Sequence, residues 1–278
     1  MPLVSLAPLA RQRAAEGKGL GAFNVIHIEN ATAFVRAAEA AGQPVVLQIS
    51  QNAVSYHGAL APIALATLEI ARRATVPVVV HLDHAEDVDL VNEAIDLGFS
   101  SVMFDGSTLS YEDNVATTAK VVARAHEHGV SVEAELGEVG GKDGVHAPGV
   151  RTSPDEARAF VAATGVDLLA VAVGSSHAMT TRDASLDLEL IADLKAALDV
   201  PLVLHGSSGV SDEGMVAAIG AGMTKINVST HLNKVFTTEV RRFLADDPKV
   251  VDSRKYVKSA MNLVQDEVTR LLSLYADN

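Results

Sequence analysis

Short runs of apolar and β-branched residues recur along the whole chain, and a longer Ala-rich stretch follows each of them. Short apolar runs are typical of buried strands, whereas apolar residues repeating every three or four positions are typical of helices. The predicted strands are residues 22–26, 45–50, 78–82, 101–104, 131–135, 168–173, 202–205 and 225–228. The predicted helices are residues 29–41, 60–74, 88–97, 114–128, 155–164, 188–198, 212–221, 230–245 and 253–275.

This alternation predicts an α/β fold. Strands that read as continuous apolar runs are covered by helices on both faces, which is typical of parallel sheets. Eight strand–helix units in 278 residues match a (β/α)8 TIM barrel. An open doubly wound sheet is the alternative, but no G-x-G-x-x-G follows the first strand. We predict one barrel domain over residues 1–278 with a C-terminal helical extension over residues 246–278, which packs on a neighbouring chain or on the barrel.

Composition narrows the classes of function. The 22 Lys and Arg residues stand against 35 Asp and Glu, a net charge of −13, and 48% of the residues are hydrophobic. Such an acidic balance argues against nucleic-acid or anionic-membrane partners and requires local positive charge for an anionic substrate. The absence of cysteine excludes disulfides, thiolate nucleophiles and Cys-based metal sites. Because no signal peptide or membrane-spanning segment is apparent, we expect a cytoplasmic protein.

Polar residues stand at nearly every predicted strand end, and in a barrel these ends meet at one mouth where the active site lies. His84, His177 and His205 follow the third, sixth and seventh strands, and three imidazoles with an open fourth position form a catalytic zinc site. Taken singly, each histidine has a structural explanation as a hydrogen-bonded residue. Their convergence favours the metal site. The other polar residues at strand ends are Asn24, Ser50, Asp83, Asp105, Glu135 and Asn227, of which Asp105 and Glu135 join the candidate metal ligands.

Carboxylates beside the histidines allow acid–base chemistry. Asp83, next to His84, is placed to orient a ligand or transfer a proton, although it also suits an N-cap. Glu133 and Glu135 share strand parity, so both point inward, and two buried carboxylates are costly without a cation. His81 has the parity of Asp83 and is expected to support the metal site rather than to bind the ion.

Two segments have the composition of phosphate-binding loops. Residues 206–209 (Gly-Ser-Ser-Gly) and 227–230 (Asn-Val-Ser-Thr) place backbone N–H groups at helix starts, where barrel enzymes bind phosphate. Ordinary turn and capping chemistry uses the same residue types. The glycine-rich segment 136–151 suits either a lid over the active site or a surface loop.

Five ordered motifs resemble those of the class II, zinc-dependent ketose-bisphosphate aldolases. They are HLDH at 81–84, VEAELG at 132–137, AVAVGSSH at 170–177, LHGSSG at 204–209 and KINVST at 225–230. The resemblance covers essentially the whole chain and is greatest to the shorter branch that includes fructose- and tagatose-bisphosphate aldolases. It implies a lyase that reversibly cleaves fructose 1,6-bisphosphate or tagatose 1,6-bisphosphate to dihydroxyacetone phosphate and glyceraldehyde 3-phosphate.

The resemblance also implies a role for each matching residue. His84, His177 and His205 match the Zn²⁺ ligands, Asp83 the residue that exchanges a proton with the C4 hydroxyl, and Glu135 a second metal position. Arg254 matches an arginine that reaches a neighbour's active site to hold the distal phosphate, so a homodimer or homotetramer is implied. The implied substrate-binding residues are Asn24, Ser50, Gly206, Ser207, Ser208, Asn227, Val228, Ser229, Thr230 and Arg254.

The chain departs from the family pattern at the mouth. Ala178 replaces the usual Gly after the second zinc ligand, which alters a backbone contact to the phosphate or to a monovalent cation, Na⁺ or K⁺. Many members carry a glutamate in the lid as the base at C3 of dihydroxyacetone phosphate. Here the lid reads Lys142-Asp143, and Asp143 is the nearest candidate for that catalytic base.

Three alternatives remain open. A class II aldolase for another sugar phosphate, such as 6-phospho-5-dehydro-2-deoxygluconate, is one, because the departures lie where the aldehyde half is selected. A Schiff-base aldolase needs a lysine inside the barrel, and Lys225 is the only lysine in a predicted strand. A non-catalytic sugar-phosphate-binding barrel would be expected to lose Asp83 or a histidine ligand, and the chain keeps them.

Overall fold

In the computed structural model, which describes residues 2–136, 151–175, 181–182 and 184–277, a closed barrel of parallel strands runs in the order β1 to β8. The strands are β1 Leu20–Asn24, β2 Val45–Ser50, β3 Val78–Ala85, β4 Ser101–Phe104, β5 Ser131–Glu135, β6 Leu168–Ala170, β7 Leu202–Leu204 and β8 Met223–Val228. The α-helices are α1 Leu6–Ala15, α2 Ile28–Ala41, α3 Gln51–His57, α4 Ala61–Arg72, α5 Val88–Leu97, α6 Tyr111–Glu127, α7 Pro154–Thr164, α8 Leu188–Ala197, α9 Asp212–Ala221, α10 Thr230–Asp246 and α11 Ser253–Ala276. The predicted (β/α)8 barrel is confirmed.

The observed elements differ from the predicted ones mainly at their ends. Strand β6 stops at Ala170 instead of residue 173, because Ala172 exchanges hydrogen bonds with the backbone N–H and side-chain oxygen of Thr152. Helices α1 and α3 are additions that the periodicity did not predict. No single helix in the described residues has the length and apolar composition to cross a membrane; α3 and α4 pass that test only as a pair bent by 118°.

Helix α1 closes the amino-terminal end of the barrel. Its inner side chains, among them Leu6 and Ala10, are buried against an apolar layer inside the strands. The hydroxyl of Ser131 on β5 accepts a hydrogen bond from the Ala7 N–H at 2.9 Å and lies 2.7 Å from the hydroxyl of Ser5. The strand residues of this layer are Leu20, Ala22, Val46, Val79, Leu168, Ala170 and Val203.

Replacing Leu6 with Ala should destabilise the protein by about 2–5 kcal/mol, since the leucine is fully buried and its truncation leaves a cavity. Urea unfolding followed by circular dichroism measures the loss. Leu9→Ala on the same helix is the control, because Leu9 is only partly buried and should cost less. Equal midpoints for the two variants would contradict the sealing role of α1.

The last helix, α11, packs on the barrel of its own chain. It lies against α2 and α10, and its inward face includes the buried residues Val264, Val268 and Leu272. The backbone N–H of Gly19, just before β1, donates a 2.8 Å hydrogen bond to the carbonyl oxygen of Tyr275. Of the two predicted positions for this extension, the structure shows the one on the barrel.

Candidate active site

The inside of the barrel changes from apolar to charged toward the carboxyl ends of its strands. Side chains two residues apart on a strand point to the same face. Above the apolar layer of α1, the next inward positions hold the fully buried Gln48, His81, Glu133 and Lys225. One step further, the inward positions form the mouth of the barrel, which is lined by Asn24, Asp83, Glu135, His205 and Asn227.

A bulge at the end of β3 turns two neighbouring residues toward the same site. The register between β3 and β4 shifts between Leu82 and Ala85, and His84 has a φ of 48°, the one non-glycine with positive φ among the described residues. In a regular strand Asp83 and His84 would point to opposite faces. Here potential ligand atoms of Asp83, His84 and His205 lie within 4.8 Å of one another.

Each of the two histidines is held by a carboxylate. His84 Nδ1 lies 2.8 Å from Asp105 Oδ2. His205 Nε2 lies 3.1 Å from Glu133 Oε1, and its Nδ1 lies 3.2 Å from Glu135 Oε2. The two imidazole rings are adjacent, with centroids 4.5 Å apart, and His84, Asp105 and Glu135 form a second group of potential ligand atoms within 4.8 Å.

The electrostatics of this cluster favour a cation. Burial would lower the pKa of His205, but hydrogen bonds to Glu133 and Glu135 raise it to about 10. Burial would raise the pKa of Asp83, yet the surrounding cationic groups, His84 and Lys225 first among them, hold it below its usual value. Carboxylates with imidazole nitrogens within a few ångströms are a donor set that Zn²⁺ accepts, and the ion would take the place of the imidazole proton. The residues present therefore fit a divalent metal.

The carboxylate of Asp83 is fixed by two amides. Asn24 Nδ2 donates to Asp83 Oδ2 at 2.9 Å, and Asn227 Nδ2 donates to Asp83 Oδ1 at 3.2 Å. Gln48 Nε2 in turn donates to Asn24 Oδ1 at 2.8 Å. Gln48 is absent from the sequence-predicted site, and its signal is an amide at an inward position of an otherwise apolar strand.

The structure brings the two expected phosphate loops together. Gly206 has the left-handed φ of 68° and leads into a short 3₁₀ turn at Ser207–Gly209. The Ser207 hydroxyl donates to the carbonyl of Asn227, and the Ser208 hydroxyl accepts a 3.2 Å hydrogen bond from the N–H of His231 at the start of α10. The loop after β7 therefore lies against the amino-terminal end of α10.

Comparison with known proteins decides the family. The profile of the family described as "Fructose-bisphosphate aldolase class-II" matches residues 4–278 of the chain. The chain belongs to this family. A protein named "Probable fructose-bisphosphate aldolase" from Bacillus subtilis strain 168 is 39% identical over 272 residues, which cover 96% of this chain and 95% of the relative. A "Fructose-bisphosphate aldolase" from Staphylococcus aureus is 38% identical over the same coverage.

A solved structure agrees with this assignment. The crystal structure of the YdjI aldolase from Escherichia coli K12 superimposes with a TM-score of 0.86 at 29% sequence identity, covering 98% of this chain and 97% of that one. Class II aldolases are lyases and are generally zinc-dependent, which agrees with the donor set described above. The sequence-based resemblance is confirmed.

Other residues predicted for this class II aldolase have contacts outside the metal cluster or lie outside the described residues. Ser50 caps α3, accepting a 3.2 Å hydrogen bond from the Ala53 N–H. Arg254 stands in the first turn of α11, 89% exposed at its side chain, and pairs with Asp252 of its own chain at 2.8 Å. His177 and Asp143 lie outside the described residues, as does Ala178 beside the expected monovalent cation.

Proposed function

We propose that the protein is a metal-dependent aldolase that reversibly cleaves fructose 1,6-bisphosphate to dihydroxyacetone phosphate and glyceraldehyde 3-phosphate. The observation that carries the proposal is the meeting of Asp83, His84 and His205 within 4.8 Å at the barrel mouth. The names of the relatives favour fructose 1,6-bisphosphate over tagatose 1,6-bisphosphate.

We assign the metal site to His84, His205 and His177, with Asp105 and Glu135 beside them. Zinc, when bound, supplies a Lewis acid for the negative charge that develops on the three-carbon fragment. The close approach of Glu135 to His205, at 3.2 Å, supports a second metal position that shares this carboxylate. A monovalent cation near Ala178 belongs to the same proposal.

Asp83 performs the proton transfer that starts cleavage. Its carboxylate takes the proton of the C4 hydroxyl, the C4–O group becomes the aldehyde carbonyl, and the electrons of the C3–C4 bond remain on the three-carbon fragment. The amides of Asn24 and Asn227 hold both carboxylate oxygens, so the base is oriented before the substrate arrives. Asn227 also lies beside the three-carbon fragment, and Asp143 of the lid returns a proton to its C3.

The joined loops after β7 and β8 bind the phosphate of that fragment. The amino-terminal end of α10 places its first backbone N–H groups and the positive end of the helix dipole at these loops, and both attract an anion. The residues assigned to this site are Gly206, Ser207, Ser208, Asn227, Val228, Ser229 and Thr230, and Asn24 and Ser50 line the rest of the mouth.

A panel of ketose phosphates tests this function. Release of dihydroxyacetone phosphate, followed with a coupling dehydrogenase, should be fastest from fructose 1,6-bisphosphate and slower from tagatose 1,6-bisphosphate and 6-phospho-5-dehydro-2-deoxygluconate. Borohydride with substrate should trap no adduct, because the Lys225 ammonium is fully buried and lies 2.8 Å from Glu133. A trapped imine, or no release from any substrate, would refute the proposal.

We propose further that the enzyme is a homodimer or homotetramer in which Arg254 completes a neighbour's site. Arg254→Ala should raise KM for the bisphosphate and leave proton exchange of dihydroxyacetone phosphate nearly intact, because only the distal phosphate loses its partner. Lys255→Ala, at the adjacent exposed position, is the control and should change neither.

Mixing two impaired chains gives the sharper test of the shared site. A mixed dimer of Arg254→Ala and Asp83→Ala chains contains one site with both residues intact, so activity should reappear above that of either parent. A monomer in sedimentation, or no recovery after proven subunit exchange, would contradict the role of Arg254.

A further inference from the structure

Beneath the mouth, a line of buried charged groups takes no part in the chemistry proposed above. Lys225 Nζ on β8 lies 2.8 Å from Glu133 Oε2 on β5. The other oxygen of that carboxylate, Oε1, lies 3.1 Å from Nε2 of His205. Neither Lys225 nor Glu133 has any exposed surface, and the exposed fraction of His205 is 3%. The line therefore runs from the barrel interior to one of the proposed metal ligands.

Such a pair needs an explanation, because a buried lysine and glutamate contribute less to stability than apolar residues of the same volume would. The ammonium of Lys225 is held from a second side, by Nε2 of His81 at 3.5 Å. His81 is fixed in turn by the hydroxyl of Ser101, 2.9 Å from its Nδ1. The Glu133 carboxylate is thus held by Lys225 on the side of the barrel interior.

The contact with Glu133 places a hydrogen on Nε2 of His205. An ionised carboxylate only accepts hydrogen bonds, so Nε2 of His205 must be the donor. Nδ1 faces a second carboxylate, 3.2 Å from Glu135 Oε2, and a metal ion bound between this ring and Glu135 would take the place of the hydrogen on Nδ1 while Nε2 keeps its own. His84 has the opposite arrangement, since its Nδ1 faces Asp105 at 2.8 Å.

We propose that the Lys225–Glu133 pair is a positioning device that holds His205 in its Nε2–H form and presents Nδ1 to the metal. The inference rests on the proposed metal-dependent function. Lys225 holds one oxygen of the Glu133 carboxylate, and the other oxygen faces Nε2 of His205 and fixes the orientation of the ring. His84 presents Nε2, so the two histidines bind through different nitrogens, each selected by its own carboxylate.

Glu133→Gln is the primary test, because glutamine keeps the size of the side chain and removes its charge. Loss of a carboxylate behind a histidine ligand weakens metal binding by about 10- to 100-fold. Competition with a zinc-binding fluorescent chelator should show this loss in the purified variant. Histidine ¹⁵N NMR of the zinc-loaded protein should show Nε2–H for His205 in the parent chain and a changed signal in the variant.

Lys225→Met tests the other member of the pair. Its metal affinity should fall by a similar factor, because Glu133 is no longer held on the side of the barrel interior. If this variant fails to fold, the double variant Lys225→Met/Glu133→Gln buries no unpaired charge and should fold, yet its zinc affinity should stay low. Recovery of full zinc affinity in the folded double variant would contradict the proposal.

Glu239→Gln is the matched control for the loss of a buried glutamate. Glu239 on α10 is buried and is held by Arg242 and by the Ser259 hydroxyl, outside the barrel interior. This change should lower the unfolding midpoint and leave the zinc affinity unchanged.

The outcomes separate the two proposals. Zinc affinity within about twofold of the parent in folded Glu133→Gln, with an unchanged His205 signal, would overturn the positioning role. A parent chain that binds no zinc would instead overturn the metal-dependent function. A parent that binds zinc but cleaves no ketose phosphate would refute the proposed activity alone.

Discussion

Dialysis against a chelator should abolish cleavage of fructose 1,6-bisphosphate, and added Zn²⁺ should restore it. At the described part of the mouth, the groups clustered with His84 and His205 are the carboxylates Asp83, Asp105 and Glu135, which cannot stabilise a developing negative charge. Without a divalent ion they would repel the three-carbon fragment, so the loss should be complete within the sensitivity of a coupled assay.

Two histidine variants, one at the proposed metal site and one away from it, provide the control for this prediction. His205→Ala should lower zinc affinity by at least about 10-fold, the lower limit seen even for residues that only support a ligand. His126→Ala should have no effect, because His126 pairs with Asp167 at the amino-terminal end of the barrel. Full activity in protein shown by elemental analysis to contain no metal would refute the metal-dependent mechanism.

Replacing Asp83 with Ala should lower the rate of C–C cleavage by about 10²- to 10⁴-fold, the usual contribution of a positioned acid–base group. The fold and the metal should be retained, since Asp83 is held by amides that lose only one partner each. The variant is measured by steady-state cleavage after its zinc content has been matched to that of the parent.

Proton exchange separates the catalytic role of Asp83 from a structural one. Exchange at C3 of dihydroxyacetone phosphate uses the lid base, so it should survive the Asp83→Ala change better than cleavage does. Tritium or deuterium release from labelled dihydroxyacetone phosphate measures it directly. Equal losses of exchange and cleavage would assign Asp83 to the structure of the site.

The sequence predicts the barrel because each strand is defined locally. A continuous apolar run reports burial on both faces, and strand parity already places His81 and Asp83 on one face. The bulge after Leu82 is different, because it depends on pairing between β3 and β4. Parity alone therefore could not show that His84 turns to the same side as Asp83.

Contacts inside the barrel between residues far apart in the chain also cannot be predicted from the sequence pattern. The parity of Glu133 and Glu135 indicates that a cation is needed, but it does not identify Lys225 as one. Strands β5 and β8 are not neighbours in the closed sheet, so their interior side chains meet only through the tilt and stagger of the whole barrel. Helix α1 is not predicted for a related reason, since its apolar face is defined by the layer that it covers.

At His84, the requirements of stability and of catalysis conflict: the backbone conformation favours glycine, whereas the proposed metal site requires the imidazole. A non-glycine residue in the left-handed region costs about 1 kcal/mol or more, and glycine adopts the same φ without this penalty. A library sorted only for resistance to heat would therefore enrich His84→Gly, which relieves the backbone and discards a ligand. Thermostabilisation of this enzyme should accordingly be directed to other positions, such as the contacts of α1 at the opposite end of the barrel.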